Sequence, residues 1–149
     1  MPSRSEPLSI IVDTREQKPF MFSTIKPSPQ ITFKTLETGD YSISGCENLI
    51  AIERKSLPDL FSSFGQGRAR FEREIQRMAC HRFSAIVCEA DWATIVKSPP
   101  PHTRLSPKSI LASVVAWEQR YGIHFWPCPN RQFAERLTYR LLDRFRCDM

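Results

Sequence analysis

The sequence lacks the cysteine and histidine patterns of a zinc site or a disulfide framework. Its five cysteines are widely spaced, no two of them form a CxxC pair, and its three histidines are scattered along the chain. Structural zinc sites need closely spaced ligands, and disulfide-stapled domains carry an even, regular set of cysteines. We therefore interpret the thiols as buried or incidental residues of a protein in a reducing compartment.

Long apolar segments are also missing. No apolar run approaches the ~20 residues that a membrane-spanning helix needs. The polar start of the chain, and the interruption of the first apolar stretch by Asp13, argue against a secretory signal. We expect a cytoplasmic or nucleoid-associated protein, or a nuclear one in a eukaryote, that is not secreted and has no membrane partner.

The charge balance favours a polyanionic partner. The formal net charge is +5, and 15 of the 21 basic residues are arginine. The planar guanidinium suits bidentate and stacked phosphate contacts, whereas net charge alone argues only for attraction. The length of 149 residues and the 41% hydrophobic content are typical of one globular domain. We predict a flexible tail over residues 1–7 and a single domain over residues 8–149.

The most informative stretch is an apolar run that ends in three charged residues. Residues 49–52 are apolar, and Glu53, Arg54 and Lys55 follow at once. Such a run is typical of a buried strand, whose alternation places Glu53 and Lys55 on one face and Arg54 on the other. A carboxylate beside an ammonium suits a metal-dependent phosphodiesterase, because hard cations bind oxygen ligands and a lysine can orient water and offset phosphate charge. Taken alone, this pattern also fits an exposed salt bridge.

Further carboxylates precede and follow this strand. Asp13 ends the first apolar run, Asp40 lies in a Gly-Asp-Tyr turn, and Asp59 comes just after the charged cluster. Asp59 also has a structural interpretation, because Ser56 is a favourable N-cap and an acidic residue three positions later completes a capping box. The ordered set of acids and lysine is more specific than any single member.

These motifs resemble the nuclease domain of the XPF family of structure-selective endonucleases, which belongs to the PD-(D/E)XK nuclease superfamily. The family's GD motif matches Gly39 and Asp40, and its ERKxxxD signature matches residues 53–59. The sequence VDTRE at residues 12–16 and the helix after the signature are similar as well. The chain departs from the family at Glu74, where that helix commonly carries glutamine, and no helix-hairpin-helix module is recognisable in it.

The resemblance implies a divalent-metal-dependent DNA endonuclease that cleaves branched or flap DNA in repair or recombination. It implies that Asp13, Asp40 and Glu53 hold Mg²⁺, for which Mn²⁺ can substitute, and that the backbone carbonyl of Arg54 adds a ligand. Lys55 is expected to position or activate the attacking water. The predicted catalytic residues are Asp13, Asp40, Glu53, Lys55 and Asp59, with Asp59 at the edge of the metal site.

Five arginines are predicted to bind DNA. Arg15 shares a strand face with Asp13, and Arg68 lies in a glycine-flanked loop, so both are candidates for holding the scissile phosphate. The helix after that loop carries an arginine stripe that consists of Arg70, Arg73 and Arg77. Such a stripe suits the DNA backbone, although the same spacing is typical of a solvated helix face.

The pattern of elements predicts an α/β fold, in which a mixed central β-sheet is flanked by helices on both faces, the restriction-endonuclease-like nuclease fold. Strands are expected over residues 8–12, 31–36, 41–43, 49–55, 83–88 and 123–126, and helices after Ser56, over residues 68–80 and 107–120, and after Asn130. Residues 31–55 are expected to form an antiparallel meander, and the later strands should pair in parallel through right-handed crossovers. The core-facing residues predicted for the last two helices are Ile110, Leu111, Val114, Val115 and Tyr121, then Phe133, Leu137, Leu141 and Phe145.

Two other functions stay open. XPF-like assemblies pair an active protomer with a degenerate one, so the chain could be a non-cleaving DNA-binding subunit of a nuclease complex. The chain could also be a basic domain that binds another phosphorylated ligand, but this function would not explain the array of Asp40, Glu53 and Lys55. Besides DNA, the expected partners are a second copy of the chain, joined through a C-terminal half that carries Trp117 and Trp126, or a protein that supplies substrate selectivity.

Overall fold

A computed structural model describes residues 5–149 of the chain. In chain order its elements are β1 (Ser9–Val12), β2 (Gln30–Phe33), β3 (Tyr41–Ile43), β4 (Ile50–Lys55), α1 (Leu57–Phe64), α2 (Arg68–Met78), β5 (Phe83–Cys88), α3 (Trp92–Lys97), α4 (Pro107–Tyr121), β6 (His124–Pro127) and α5 (Arg131–Asp148). Only α3, a six-residue helix capped by Asp91, was not predicted. The first four residues of the predicted tail lie outside the described residues, and residues 5–7 are exposed.

One mixed sheet contains all six strands, in the order β2-β1-β3-β4-β5-β6. β3 is antiparallel to both β1 and β4, whereas β4, β5 and β6 are mutually parallel. β4 pairs along its whole length with β5, from Ile50 opposite Phe83 to Lys55 opposite Cys88. The predicted mixed sheet is therefore confirmed, with β4 near its middle.

The second strand differs from the prediction. It ends at Phe33 instead of residue 36 and runs parallel to β1 at the edge of the sheet, so the antiparallel meander consists of β1, β3 and β4. The strand ends early because the backbone beyond it takes a side-chain partner, as the Leu36 amide donates to Asp13 Oδ1 at 2.8 Å. Leu36 and Asp13 lie 23 residues apart in the chain, so the spacing of apolar residues within the strand could not reveal this contact.

Helices cover both faces of the sheet and enclose two hydrophobic clusters. One cluster lies beneath α1, α2, α3 and α4, and the other lies beneath α5 and the segment that carries Phe20 and Phe22. Because side chains alternate along a strand, β4 sends Ala51 into the first cluster and Ile50 and Ile52 into the second. This confirms the predicted sheet flanked by helices on both faces.

The core-facing sides of the last two helices were predicted incorrectly in part. On α4, Leu111 and Val115 are 48% and 47% exposed, whereas Ser113 and Trp117 are buried. Ser113 tolerates burial because its hydroxyl donates to the Ser109 carbonyl at 2.8 Å and accepts a hydrogen bond from Arg68. Trp117, which was predicted to lie at an interface, belongs to the core of the domain.

The buried face of α5 also differs from the predicted one. Phe133 is 51% exposed, and the buried positions are Ala134, Thr138, Leu142 and Arg146. Thr138 donates to the Ala134 carbonyl, and Arg146 pairs with Asp143 and donates to the Glu6 carbonyl. Satisfied polar groups can replace apolar ones in a core, so the apolar residues alone did not define the buried face. No helix within residues 5–149 meets the length and hydropathy that a bilayer crossing requires.

Candidate active site

Three of the predicted acids share one face of the sheet where β1, β3 and β4 meet. A row of residues in register across these strands, namely Val12, Tyr41 and Ile52, is buried in the cluster beneath α5. Asp13, Asp40 and Glu53 each adjoin one residue of this row, so they point to the opposite face. Backbone hydrogen bonds of 2.8 Å from Asp13 N to Asp40 O and from Asp40 N to Ile52 O hold the strand ends together.

Gly39 allows Asp40 to approach β4 closely. Its φ of +79° lies in the left-handed region, and a Cβ atom there would lie 3.1 Å from Ala51 Cβ. The tight turn places Asp40 Oδ2 2.8 Å from the Arg54 amide, which donates to it. The Gly-Asp motif thus has a physical basis, because only glycine fits the approach that fixes the carboxylate.

Asp40 and Glu53 form a carboxylate pair, in which Glu53 is buried and Asp40 is partly buried. Burial raises the pKa of Asp40 to about 6, although the hydrogen bonds that it accepts from Glu53 and from the Arg54 amide act in the opposite direction. Burial, the charge of Asp40 and a hydrogen bond with Glu74 raise the pKa of Glu53 well above its ordinary value. As a carboxylate, Glu53 has a buried Oε2 with no hydrogen-bond partner among the described residues.

The donor set of this pair fits a hard divalent cation. An orphaned carboxylate oxygen beside a second carboxylate is the type of ligand that Mg²⁺ takes, and Mg²⁺ typically needs only one or two carboxylates because it keeps several waters. Within residues 5–149, no group of three or more acidic, histidine or cysteine side chains is placed so that it could hold a metal ion. A cation held here therefore rests mainly on Asp40 and Glu53.

Asp13 lies beside this pair, but its carboxylate oxygens already accept hydrogen bonds from other groups. It is 3% exposed, and it accepts hydrogen bonds from the Leu36 amide at 2.8 Å and from Arg15 Nε at 2.9 Å. Arg15 also donates to the Leu36 carbonyl at 2.7 Å and keeps 66% of its side chain exposed. The structure thus brings Asp13 and Arg15 to the site as an ion pair, and their metal and phosphate roles stay predictions.

Lys55 and Asp59 follow the carboxylate pair along the chain. Lys55 Nζ lies 4.6 Å from the centroid of the Phe71 ring, on the face of the sheet that α2 covers. Asp59 is exposed in the first turn of α1, and its amide donates to the Ser56 hydroxyl at 3.3 Å. The predicted N-cap is confirmed, and the catalytic role of Asp59 stays a prediction.

Arg54 points to the opposite face, as predicted, and forms a buried ion-pair network there. Its guanidinium donates to Glu16 Oε2 at 2.9 Å and to Glu16 Oε1 at 2.6 Å, and it also pairs with Glu89. Arg131 adds a second cation to Glu89 at 3.2 Å, and the Tyr41 hydroxyl donates to Glu16. Sequence reasoning missed these partners because they lie far from Arg54 in the chain. The network fixes the strand that carries Glu53.

Helix α2 brings both positive and negative charge to the site. The arginine stripe is exposed, and none of the salt bridges within the described residues includes its members. Arg68 is engaged inside the domain, where it donates to Ser113 Oγ at 2.6 Å and stacks 5.0 Å from the Trp117 ring centroid. Glu74 is half-buried, and its interaction with Glu53 helps to raise the pKa of Glu53. Sequence reasoning did not assign it to the site, because its position fits the solvated side of the helix equally well.

Comparisons with known proteins agree with this architecture. The model of the ERCC4 domain family matches residues 12–141. The structure of XPF from Aeropyrum pernix aligns with a TM-score of 0.70 and 24% identity, over 92% of this chain and 60% of that chain. The structure of XPF from Aeropyrum pernix in complex with DNA aligns with a TM-score of 0.72 and 21% identity, over 95% of this chain and 66% of that chain. The chain thus spans less than two thirds of either structure, and no curated protein sequence matches it.

Proposed function

Because the chain belongs to the ERCC4 domain family, we propose that it is a divalent-metal-dependent DNA endonuclease that cleaves phosphodiester bonds. One observation carries this proposal, namely the pair of the partly buried Asp40 and the buried Glu53, in which Glu53 Oε2 lacks a hydrogen-bond partner within residues 5–149. The ionisation of two neighbouring carboxyl groups together is costly, and it becomes favourable when a cation lies between them. A purely structural domain has no need of such a pair.

The residues that would hold Mg²⁺ are Asp40 and Glu53, together with the backbone carbonyl of Arg54 and, if Arg15 releases it, Asp13. A bound divalent cation supplies charge stabilisation at a phosphate oxygen and lowers the pKa of coordinated water. The Arg54 amide orients Asp40 by donating to its Oδ2. The buried network of Arg54 on the other face keeps the strand rigid, so both carboxylates are preorganised before substrate arrives.

Lys55 supplies the cationic part of the chemistry. Alternation along β4 places its side chain on the same face as Glu53, and its ammonium nitrogen lies 4.6 Å from the centroid of the Phe71 ring. From that position the ammonium can donate to a water molecule or a phosphate oxygen, since lysine has three donors and no acceptor. We propose that it orients the attacking water and offsets the charge that develops on the phosphate.

The arginine stripe on α2 is proposed to hold the DNA backbone beside the carboxylates. Its three guanidiniums are exposed and unpaired by salt bridges within the described residues, so they are available for phosphate contacts. Because Lys55 Nζ lies 4.6 Å from the ring centroid of Phe71 on the same helix, the stripe lies within about two helical turns of the end of β4. DNA bound along the stripe would therefore pass close to Asp40 and Glu53.

We propose further that the substrate is branched or flap DNA in repair or recombination. This rests on the resemblance to the XPF family and on the DNA complex of one related structure. The selectivity would come from the nuclease face itself, from pairing with a second copy of the chain, or from a partner protein. The exposed Trp126 at the edge strand β6, 43% accessible, is the most suitable apolar contact for such pairing.

A cleavage assay on a substrate panel tests the proposal. Labelled duplex, flap, splayed-arm and four-way DNA are incubated with the protein in Mg²⁺ or in EDTA, and Asp40→Asn is the matched control. This variant keeps an oxygen for the Arg54 amide but removes the negative charge. We expect cleavage only in Mg²⁺, strongest on branched DNA, and none by the variant. Binding of all substrates without cleavage of any would instead support a non-cleaving DNA-binding subunit.

A further inference from the structure

Helix α5 carries a second row of exposed arginines, on the face of the sheet opposite to α2. Arg136, Arg140 and Arg144 recur at four-residue spacing, so they form one stripe along the helix, and all three are exposed. None of the salt bridges within residues 5–149 includes Arg136 or Arg140. Arg144 pairs with Asp148, but both side chains are more than half exposed, and such pairs are weak. These three residues, called the α5 arginines below, are therefore available to an anion outside the domain.

The other two acids of α5 do not neutralise this row, because they are engaged with the rest of the domain. Glu135 accepts a hydrogen bond from the Phe22 amide at 3.0 Å. Asp143 pairs with the buried guanidinium of Arg146 at 2.6 Å. The exposed side of the helix thus keeps a net positive charge.

The row of arginines ends at a cavity of about 250 Å³ between the last turns of α5 and the start of β5. Two aromatic rings and two guanidiniums contribute to its walls. The exposed Arg82 lies over the Phe145 ring, with 5.8 Å between the guanidinium carbon and the ring centroid. The lining residues are Arg82, Phe83, Leu141, Arg144, Phe145 and Asp148.

Aromatic rings beside guanidiniums are the combination that binds single-stranded nucleic acid, because bases stack on the rings and phosphates bind the cations. Duplex DNA presents only the edges of its bases, in the grooves, so its paired bases cannot enter this cavity. The volume lies below the ~300–1,000 Å³ of pockets for drug-sized ligands. A single unpaired base is therefore the ligand that the chemistry and the size of the cavity suit.

The α5 arginines connect this cavity with the end of the sheet that carries the carboxylate pair. Phe83 lies beside the first residue of β4, three residues before Glu53 and thus ~10 Å away along the strand. Helix α5 begins at the other end of β5, where Arg131 pairs with Glu89 at 3.2 Å. The row itself spans ~12 Å at 1.5 Å per residue. A strand that follows it reaches the cavity from the carboxylate end of the sheet.

We propose that the α5 arginines and this cavity form a second DNA-binding surface, which holds a single-stranded arm of the substrate with one base in the cavity. This inference rests on the function proposed above in so far as DNA is the substrate. The stripe on α2 contacts the duplex on one face of the sheet, and the arm passes around the carboxylate end of β4 to the other face. The second surface adds affinity only for DNA with an unpaired arm. It thereby assigns selectivity for branched DNA to the nuclease domain itself.

DNA binding in EDTA tests the proposal without any cleavage readout. Fluorescence anisotropy is measured with a short labelled single strand, with the same strand containing abasic sites, and with a blunt duplex. The variants are Arg136→Gln with Arg140→Gln, and Phe145→Leu, which keeps an apolar side chain but removes the ring. The matched control is Lys97→Gln with Lys108→Gln, which removes the same charge from exposed residues of α3 and α4. Circular dichroism melting of each variant reports folding.

The arginine variant should bind the single strand more weakly, with a slope of log affinity against log salt that is smaller by ~1.4, because each single-strand phosphate contact contributes ~0.7. Its binding of the blunt duplex should equal that of the lysine control. Phe145→Leu should weaken single-strand binding by about 5- to 100-fold, the effect of losing one base–aromatic stack. Abasic sites should weaken binding by the wild type but not weaken it further in Phe145→Leu, because both changes remove the same stack.

Failure of this inference can be distinguished from failure of the proposed function. If the wild type binds neither the single strand nor the duplex, DNA is not the ligand and both proposals fall. If the wild type binds DNA but the arginine variant binds the single strand like the lysine control, the inference alone falls and the proposed nuclease stands. The same holds if abasic sites weaken Phe145→Leu as much as the wild type, and the cavity would then suit an acidic segment of a partner protein. Should Phe145→Leu fail to fold, the arginine variant decides the outcome.

Discussion

Replacement of Arg54 by methionine should destabilise the fold strongly while it leaves the carboxylate pair in place. Arg54, Glu16 and Glu89 keep only 7%, 5% and 12% of their side chains exposed. Removal of one partner from a buried ion pair typically costs ~3–5 kcal/mol, because the other charge stays buried and unpaired. Glu89 retains Arg131 and Glu16 retains the Tyr41 hydroxyl, so we expect the lower end, ~3 kcal/mol.

The loss is measured by urea denaturation followed by circular dichroism. For a chain of this size, ~3 kcal/mol corresponds to a fall of about 6–12 °C in melting temperature. Arg144→Met is the matched control, because its pair with Asp148 is 72% and 55% exposed and such pairs contribute at most ~1 kcal/mol. If Arg54→Met lost no more free energy of unfolding than Arg144→Met, the network would not hold the strand and the reasoning would be refuted.

The stabilisation by Arg54 should also depend on pH. Burial opposes the ionisation of Glu16, but the hydrogen bonds and the charge of Arg54 lower its pKa below the ordinary value of 4.5. A carboxyl group with a depressed pKa in the folded state stabilises the fold above its unfolded pKa, and this contribution is lost as the pH falls through the folded pKa. The difference in unfolding free energy between wild type and Arg54→Met should therefore shrink below about pH 4.5. A constant difference down to pH 3 would contradict this assignment.

Three further predictions concern DNA, assembly and chemistry. Alanine at Arg70, Arg73 and Arg77 should reduce the slope of log affinity against log salt by up to ~2.7, since each phosphate contact contributes ~0.9; an unchanged slope would make the stripe a solvated helix face. Light scattering should report a homodimer that Trp126→Ser weakens, and a concentration-independent monomer mass in the wild type would exclude it. Lys55→Ala should stop cleavage but retain Mn²⁺ binding, because lysine donates no ligand; loss of binding would assign Lys55 a different role.

Much of the fold and of the site could be predicted from the sequence because the signals are local. The apolar run before Glu53 indicated β4, and the serines and asparagine at helix starts are confirmed as N-caps in α1, α4 and α5. Alternation along β4 placed Arg54 opposite Glu53, as the contacts of both residues show. Each of these inferences depends on residues within one turn or one strand.

What could not be predicted depends on contacts between distant segments. Glu16 and Glu89 lie 38 and 35 residues from Arg54, and sheet pairing alone brings them together. The buried faces of α4 and α5 include Ser113 and Thr138, whose hydroxyls donate to carbonyls of the preceding helical turn. Because these residues are polar, the spacing of the apolar residues predicted a neighbouring face of each helix to be buried. Glu74 was missed for a related reason, because helical spacing alone does not show which stripe faces a carboxylate of another element.

The most direct test of the central claim is cleavage by Glu53→Gln under saturating Mg²⁺. The substitution keeps the shape of the side chain but removes the charge that a cation would bind. We predict that this variant does not cut the branched substrate that the wild type cuts. Its DNA binding in Ca²⁺ or EDTA should be equal or stronger, because one negative charge facing the phosphate is removed. Cleavage at the wild-type rate would contradict the account, since the Asp40 and Glu53 pair would then be a structural feature and not a metal-binding catalytic centre.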